Sequence, residues 1–209
     1  MTDELRIAAV VPVAAIETAK TRLGGSLDAE ERHELVERLL GQTLTALLAV
    51  ERLDDVVVVS PDATVLELAA AAGARTLRQR TRGLNDGLRE ARGDVIAGGA
   101  DVIVIVPIDL PFITAAAIDT VLDAIPADDA PAVVLVTDRH GTGTNLLALR
   151  PPAAIDVAFG TDSRVAHREA AERAEVAYRE VAGPLAVDLD TPEDLVFIDS
   201  VEADGLRVG

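Results

Sequence analysis

Residues 101–111 read DVIVIVPIDLP, and this stretch decides the fold. The five residues VIVIV at 102–106 are all apolar, so both faces of the strand that they form avoid water. A strand buried on both faces belongs to a sheet with helices on either side, which is the usual setting of parallel strands. The stretch therefore predicts an α/β fold in which a carboxylate, Asp109, directly follows a central strand.

Strand and helix patterns alternate on both sides of this stretch. Apolar runs predict further strands at Arg6–Val13, Asp55–Ser60, Ala132–Thr137, Asn145–Leu149, Val176–Val181 and Ala186–Asp190. Helical spacing predicts helices at Asp28–Val50, Asp62–Ala72, Asn85–Ala97, Thr114–Ile125 and Asp162–Arg173, with a last helix starting at Thr191. We therefore predict one three-layer α/β domain over residues 1–209, with a mostly parallel, mixed sheet.

Composition and charge exclude several classes of protein. No apolar run reaches the roughly 18 residues of a membrane span, and the first residues carry acids rather than a signal-peptide pattern. The chain has no cysteine, which excludes a disulfide framework and agrees with a cytoplasmic location. A formal net charge of -17 and only 2% aromatic residues disfavour binding to nucleic acid. Phosphate binding would therefore need local donors or bound cations.

Three aspartates follow predicted strands, where ligands bind in such folds. Asp109 is either a metal ligand or the cap of the next helix, and Thr114 is the better candidate for that cap. Asp188 and Asp190 are two residues apart on an extended stretch, so their side chains share one face. Like charges so close repel unless a cation holds them, and Mg²⁺ prefers carboxylates together with substrate phosphates. The alternative is that Asp190 and Thr191 only start the last helix.

Three other segments contain candidate anion-binding groups. The first loop, TAKTRLGG at 18–25, contains Lys20, the only lysine of the chain, and Arg22, whose charges would suit a triphosphate. The segment DRHGTGTN at 138–145 offers backbone N–H groups and hydroxyls to an anion, or is a plain hairpin turn. In FGTDSRVAH at 159–167, Gly160 and Ser163 lie near a predicted helix start, which favours anions.

The order of these motifs resembles that of a known enzyme family. The motifs AKTRL, DLP, GTGTN, FGxxSxxxH and DxDTPEDL occur in this order between about residues 7 and 198. Together they resemble the 2-phospho-L-lactate guanylyltransferase family of coenzyme F(420) biosynthesis. The resemblance implies a glycosyltransferase-A-like, MobA-like nucleotidyltransferase fold. It also implies transfer of GMP from GTP to 2-phospho-L-lactate, phosphoenolpyruvate or 3-phospho-D-glycerate, with release of pyrophosphate.

The resemblance also implies roles for individual residues. Three carboxylates would hold Mg²⁺, three residues would bind the acceptor acid, and three would face the nucleotide. The metal set is Asp109, Asp188 and Asp190. The acid set is Thr144, Gly160 and Ser163, and the nucleotide set is Lys20, Arg22 and Asn85.

One position departs from the family pattern. Relatives usually carry a lysine after the first strand, where this chain has Ala14. This departure leaves open a nucleotide-sensing domain without turnover. Because fold alone does not identify a substrate, a sugar-phosphate nucleotidyltransferase of the same fold also stays open. A sensor does not need three metal ligands, and sugar-phosphate enzymes usually have a glycine-rich loop directly after the first strand. Here Gly24 and Gly25 come later.

Overall fold

The computed structural model describes residues 5–15, 28–189 and 194. Strands and helices alternate through them, and a short 3₁₀ turn, Pro184–Ala186, follows the last strand. The strands are β1 (Ile7–Pro12), β2 (Asp55–Ser60), β3 (Arg75–Arg78), β4 (Val102–Ile105), β5 (Ala132–Thr137), β6 (Thr144–Arg150) and β7 (Ala177–Glu180). The helices are α1 (Ala29–Leu48), α2 (Ala63–Ala71), α3 (Leu84–Ala97), α4 (Ala115–Asp123) and α5 (Ser163–Arg173).

The strands form one sheet in the order β3-β2-β1-β4-β6-β5-β7. Strand β6 is antiparallel to both of its neighbours, and the other pairings are parallel. The predicted mostly parallel, mixed sheet is confirmed. The order runs outward from β1 to β3 and then continues with β4 on the other side of β1. The sheet therefore has a topological switch point between β1 and β4, where open α/β sheets bind ligands.

Both faces of the sheet are covered. In β1, Ile7, Ala9 and Val11 belong to the buried cluster that includes residues of α1, α2 and α4. The alternate residues, Ala8 and Val10, belong to a second cluster with residues of α3 and α5. Side chains alternate between the two faces of a strand, so this division places helices on both faces. The predicted three-layer arrangement is confirmed.

Helix starts follow the predicted caps. The Asp28 carboxylate accepts the Glu31 N–H at 2.9 Å, and the Glu31 carboxylate accepts the Asp28 N–H at 2.8 Å, which is a capping box. Thr114 caps α4, because its hydroxyl oxygen accepts the Ala117 N–H at 3.1 Å. The cap of α4 is therefore not Asp109. Among the described residues, no helix is both long enough and apolar enough to cross a membrane.

Two predictions of secondary structure are wrong. Strand β3 is missing from the sequence prediction because its residues, RTLR, form a partly exposed strand at the sheet edge and lack an apolar run. The strand predicted at Ala186–Asp190 is absent through residue 189. Ala186 ends the 3₁₀ turn, and residues 187–189 are in no strand. This segment passes across the carboxyl ends of the strands, so its alternation of polar and apolar residues does not reflect strand pairing.

Candidate active site

The candidate site lies at the carboxyl ends of β1, β4 and β5. Because β6 is antiparallel to β4, its first residue, Thr144, lies at this same end of the sheet, and so does the carboxyl end of β7. The segment after β7 runs back across these strand ends, past the start of β6, towards β4. The topology thus brings the ends of strands that are far apart in the sequence to one side of the sheet.

Two of the predicted metal ligands lie on neighbouring segments at the carboxyl ends of the strands. The Leu189 N–H donates to the Asp109 carbonyl oxygen at 2.9 Å, so the residue after Asp188 is hydrogen-bonded to Asp109 itself. Both aspartates are half-buried. Half-buried carboxylates on two adjoining segments supply the hard oxygen ligands that Mg²⁺ prefers.

The third predicted ligand, Asp190, lies outside the described residues. Within the residues that the structure does describe, no group of three potential ligands occurs. The three-carboxylate set therefore stays a prediction, and the Asp109–Leu189 bond is the feature that supports it.

The segment that contains Asp188 is fixed on both sides. The side-chain amide of Asn145, at the start of β6, donates to the Leu185 carbonyl oxygen at 3.0 Å. Leu185 and Leu189 are both buried in the core. Two buried leucines and two hydrogen bonds thus determine where Asp188 lies, although residues 187–189 belong to no helix or strand.

The three residues predicted to bind the acid are brought together around the start of α5. The Arg164 guanidinium donates to the Gly141 carbonyl at 3.0 Å, and the Arg164 N–H donates to the Thr142 carbonyl at 3.2 Å. These bonds hold the start of α5 against the β5–β6 hairpin, at whose end Thr144 lies. Ser163 is the first residue of α5 and is buried.

Gly160 occupies a backbone conformation that favours glycine. Its φ is +129°, and a Cβ placed there would have no heavy atom within 4 Å. The glycine is therefore needed for its backbone angle rather than for close packing. Its open side faces solvent, so a ligand could approach its backbone.

Asn85, predicted to lie near the nucleotide, contacts the segment that contains Gly160. Its side-chain nitrogen donates to the Phe159 carbonyl at 2.9 Å, and its side-chain oxygen accepts the Phe159 N–H at 2.8 Å. Both ends of the amide are thus used by one backbone unit of the acid region. A contact with nucleotide stays a prediction. Sequence reasoning could not find this pairing, because it joins residues 74 positions apart.

Ion pairs reinforce the connection between α3 and this segment. Arg89 and Arg92, on α3, donate to the Asp156 carboxylate at 2.8 and 3.0 Å. The hydrogen bond from Arg89 is the main reason why the pKa of Asp156 lies below its usual value. Together with Asn85, these arginines hold residues 155–159 on α3.

In the hairpin after β5, a carboxylate of the hairpin itself accepts hydrogen bonds from the turn. Strands β5 and β6 form an antiparallel hairpin, and the Asp138 carboxylate accepts the Thr142 N–H at 2.7 Å and the Thr142 hydroxyl at 3.1 Å. Burial raises the pKa of Asp138, but these hydrogen bonds and one from the Gly143 N–H outweigh it, so the pKa is lowered. The Asp138 carboxylate therefore accepts from donors of the turn itself, whereas a contact between Thr144 and an anion stays a prediction.

An apolar cavity that the sequence did not reveal lies at the carboxyl ends of β1 and β2. It has a volume of about 260 Å³ and includes Pro12, Val13, Ala14 and Leu84 in its lining. Ala14 is exposed, and so is the Leu84 side chain. The predicted Lys20 and Arg22 lie outside the described residues.

One amide gives this cavity a defined polar group. The Gln79 side-chain nitrogen donates to the Thr81 carbonyl at 3.1 Å and to the Gly83 carbonyl at 2.9 Å. Both amide hydrogens are thus used, and the amide oxygen is left as the acceptor. A Cβ at Gly87 would come within 2.6 Å of the Gln79 amide carbon, so Gly87 gives the amide its room.

His167 is a buried residue of the site with a measurable effect on stability. Burial lowers its pKa from 6.5 to about 4. Between these values the unfolded chain binds a proton and the folded chain does not, so stability is complete above pH 6.5 and falls as the pH drops. We expect the free energy of unfolding to fall by about 1.4 kcal/mol per pH unit across this window.

Urea unfolding of the wild type and His167→Gln between pH 4.5 and 7.5 tests this expectation. The variant lacks the ionisable ring but keeps the carboxylates, so the difference between the two curves isolates His167. Parallel curves for the two proteins would contradict a depressed pKa at His167.

Comparisons with known proteins agree with this geometry. A family model described as guanylyl transferase CofC like matches residues 7–200. The phosphoenolpyruvate guanylyltransferase of Sphaerobacter thermophilus is 47% identical over 188 residues, covering 90% of this chain and 89% of that protein. The 2-phospho-L-lactate guanylyltransferase of Methanocaldococcus vulcanius is 32% identical, covering 90% of this chain and 83% of that protein.

Solved structures agree on the fold. A protein of Desulfovibrio desulfuricans G20 described as a nucleotide-diphospho-sugar transferase superposes with a TM-score of 0.76 at 18% identity, covering 97% of this chain and 90% of that one. The predicted glycosyltransferase-A-like fold is confirmed. Because the family model spans nearly the whole chain and relatives share up to 47% identity with it, the chain belongs to the CofC-like guanylyl transferase family.

Proposed function

We propose that this chain is a cytoplasmic guanylyltransferase of coenzyme F(420) biosynthesis. It transfers GMP from GTP to phosphoenolpyruvate or 2-phospho-L-lactate and releases pyrophosphate. The observation that carries the proposal is the hydrogen bond from Leu189 to Asp109, which joins two carboxylate-bearing segments at the sheet edge beside Thr144. The names of the relatives support the choice of donor and acceptor.

The reaction needs no general base. The acceptor is a phosphate monoester, already an anion near neutral pH, and one of its oxygens attacks the α-phosphorus of GTP in line. A new P–O bond forms there, and the bond from the α-phosphorus to the oxygen bridging to the β-phosphorus breaks. The bonding electrons leave with pyrophosphate. His167 fits this scheme, because burial keeps it neutral near pH 7 and its ring is occupied by hydrogen bonds.

Two polyanions must meet inside a protein whose formal charge is -17. We propose that Asp109, Asp188 and Asp190 hold Mg²⁺, which when bound supplies positive charge to the phosphates of both substrates. Thr144, Gly160 and Ser163 bind the acid, and Lys20 and Arg22 face the triphosphate. The acid residues lie around the start of α5 and the cavity lies at the ends of β1 and β2, which supports two substrate regions at the carboxyl ends of the strands.

The apolar cavity is suited to the guanine base. Its walls are mainly aliphatic, and its amide group, the Gln79 side chain, has both hydrogens occupied and its oxygen left to accept. On its Watson–Crick edge guanine has a donor at N1 beside its 2-amino group, whereas adenine has an acceptor at N1 and donates only from its 6-amino group. An acceptor at this position would therefore favour guanine. The nucleotide role of Asn85 stays part of the proposal, with its contact to Phe159 as the competing interpretation.

Pyrophosphate release by the purified chain with GTP and Mg²⁺ tests the function. Phosphoenolpyruvate, 2-phospho-L-lactate and 3-phospho-D-glycerate are offered separately, each with a control that lacks the acid. Release that depends on one of the acids identifies the acceptor. GTP binding measured by calorimetry without release from any acid would contradict the transferase and favour a nucleotide-sensing domain.

Restoring the family's lysine should strengthen GTP binding. Ala14 is exposed and lines the cavity, so Ala14→Lys would add a point charge beside the proposed nucleotide region. We expect the KM for GTP to fall about fivefold, with kcat and the KM for the acid little changed.

Ala14→Met is the matched control, because it adds a flexible stem without the charge. Equal KM values for GTP in the two variants would contradict a nucleotide phosphate near Ala14. A fall in the KM for the acid instead would reverse the assignment of the two substrate regions.

A further inference from the structure

His167 is buried in the acid region and has no part in the chemical step proposed above. Its side chain has no exposed surface and lies on α5, four residues after Ser163. Its two ring nitrogens contact two different parts of the site. Nδ1 lies 3.1 Å from the Thr144 hydroxyl oxygen, and Nε2 lies 3.0 Å from the Ala158 backbone nitrogen.

These contacts fix the tautomer of the ring. A backbone N–H can only donate, so Nε2 must present its lone pair to Ala158. The hydrogen of the neutral ring is then on Nδ1, which donates to the Thr144 hydroxyl oxygen. Burial lowers the pKa of His167 to about 4, so this neutral form is present at physiological pH.

The tautomer determines what Thr144 offers to a ligand. Its oxygen accepts the hydrogen from His167, so the hydroxyl's own hydrogen is directed elsewhere. Among the described residues, His167 is the hydrogen-bonding partner found for this hydroxyl. Carboxylate and ionised phosphate oxygens only accept hydrogen bonds, so a threonine held as a donor matches a phosphorylated acid.

The His167 ring is also held in its plane, and it contacts the segment that contains Gly160. The Phe159 ring contacts it edge-on, with centroids 5.2 Å apart and an interplanar angle of 71°. The Phe159 backbone is fixed in turn by Asn85. His167 thus connects Thr144 to the backbone two residues before Gly160.

We propose that His167 is a positioning residue that holds Thr144 as a hydrogen-bond donor to the acceptor acid. The proposal rests on the proposed function for the identity of the ligand. The ring itself does not touch the acid and transfers no proton. Its effect is on acid binding and not on GTP binding.

Two conservative variants separate positioning from simple packing. In His167→Asn the amide nitrogen takes the place of Nδ1, which keeps the donor to Thr144 and removes the acceptor for Ala158. In His167→Gln the amide oxygen takes the place of Nε2, which keeps the acceptor for Ala158 and removes the donor to Thr144. Each variant deletes one of two hydrogen bonds, so a purely structural role predicts similar effects from both.

The test measures the Kd of phosphoenolpyruvate by NMR titration of the full chain, and the KM values for the acid and for GTP. We expect His167→Gln and Thr144→Val to weaken acid binding about tenfold or more, and His167→Asn to stay within about threefold of the wild type. The KM for GTP should stay unchanged in all three. The double variant His167→Gln/Thr144→Val should bind the acid no more weakly than Thr144→Val.

A second readout does not depend on turnover. Long-range ¹H–¹⁵N correlation spectra of the histidine rings should show His167 protonated at Nδ1 and unprotonated at Nε2 at pH 7. The opposite tautomer, or equal acid affinities of His167→Gln and His167→Asn, would overturn the proposal. Absence of pyrophosphate release from the wild type would refute the proposed function alone, because the NMR titration and the ring spectra test His167 separately.

Discussion

Asp188→Asn is expected to lower kcat for GMP transfer by about 100-fold or more, with a much smaller change in the KM for the acid. The substitution keeps the size of the side chain and removes one negative charge where the phosphates of both substrates would meet a cation. The loss acts mainly in the transition state, because charge on the departing pyrophosphate develops there.

The structure predicts that Asp188→Asn leaves the fold intact. The neighbours Leu185 and Leu189 are buried, and two hydrogen bonds that hold this segment join backbone atoms of Leu185 and Leu189 to Asn145 and Asp109, so they persist when the Asp188 side chain changes. Thermal unfolding should therefore change little. A large loss of Tm would mean that the lost activity reflects misfolding of the segment.

Asp128→Asn is the matched control for charge. Asp128 is exposed and lies before β5, at the opposite end of that strand from the candidate site. The control removes the same charge from the same acidic protein, so it should keep full turnover. Full turnover of Asp188→Asn, or an equal loss in the control, would contradict the metal assignment.

A metal titration makes the test more specific. If Asp188 and Asp109 hold the same cation, each single variant should need more Mg²⁺ for half-maximal rate. The double variant Asp109→Asn/Asp188→Asn should then lose less than the product of the two single losses, because both act through one ion. Losses that multiply would indicate that the two carboxylates act independently.

The sequence predicts the fold well where burial leaves a clear pattern. The apolar run at 102–106 and its counterpart in β2 could only be strands covered on both faces, and the structure buries both. Strand β3 could not be predicted in this way. It lies at the edge of the sheet, where its first and last residues, both arginines, are exposed.

The site was predictable to the extent that it depends on topology. The carboxyl ends of parallel strands meet at one edge, and this rule selects Asp109 and the 138–145 hairpin directly. The roles of Asn85 and His167 depend on contacts across 74 and 23 sequence positions. Asn85 contacts backbone atoms, which any residue type would offer, so no pattern of side chains indicates its partner.

The same rule does not reveal that donors of the hairpin turn already have a partner. Glycines and threonines after a strand suit an anion, but Asp138 precedes them and is itself an anion. Its carboxylate accepts the Thr142 N–H and hydroxyl, so the turn binds its own side chain. An acidic residue just before such a loop therefore indicates that donors of the turn itself are occupied.

Asn85 gives the second large expected effect, and it separates two interpretations of one residue. The structure predicts that Asn85→Asp weakens use of the acid, with kcat/KM for the acid about 10- to 100-fold lower and the KM for GTP within about threefold. The aspartate still accepts the Phe159 N–H, but it presents a second oxygen to the Phe159 carbonyl. Two acceptors then face each other, so the Phe159–Gly160 segment must move.

If Asn85 contacts the nucleotide directly, Asn85→Asp should instead change the KM for GTP more than it changes kcat/KM for the acid. Asp86→Asn is the control, because Asp86 is the next residue of α3 and pairs with Arg89 on the exposed surface. An asparagine there can still accept a hydrogen bond from Arg89, so both KM values should stay close to those of the wild type.

The outcome of the Asn85→Asp experiment also bears on His167. Asn85 holds the Phe159 backbone, and His167 holds the adjacent Ala158 N–H, so both residues determine the approach of the chain to Gly160. If both act on this segment, Asn85→Asp and His167→Asn, which removes the acceptor for the Ala158 N–H, should raise the KM for the acid by less in combination than the product of their separate effects. Independent effects would mean that Asn85 acts at the nucleotide and His167 at the acid, with no common element between them.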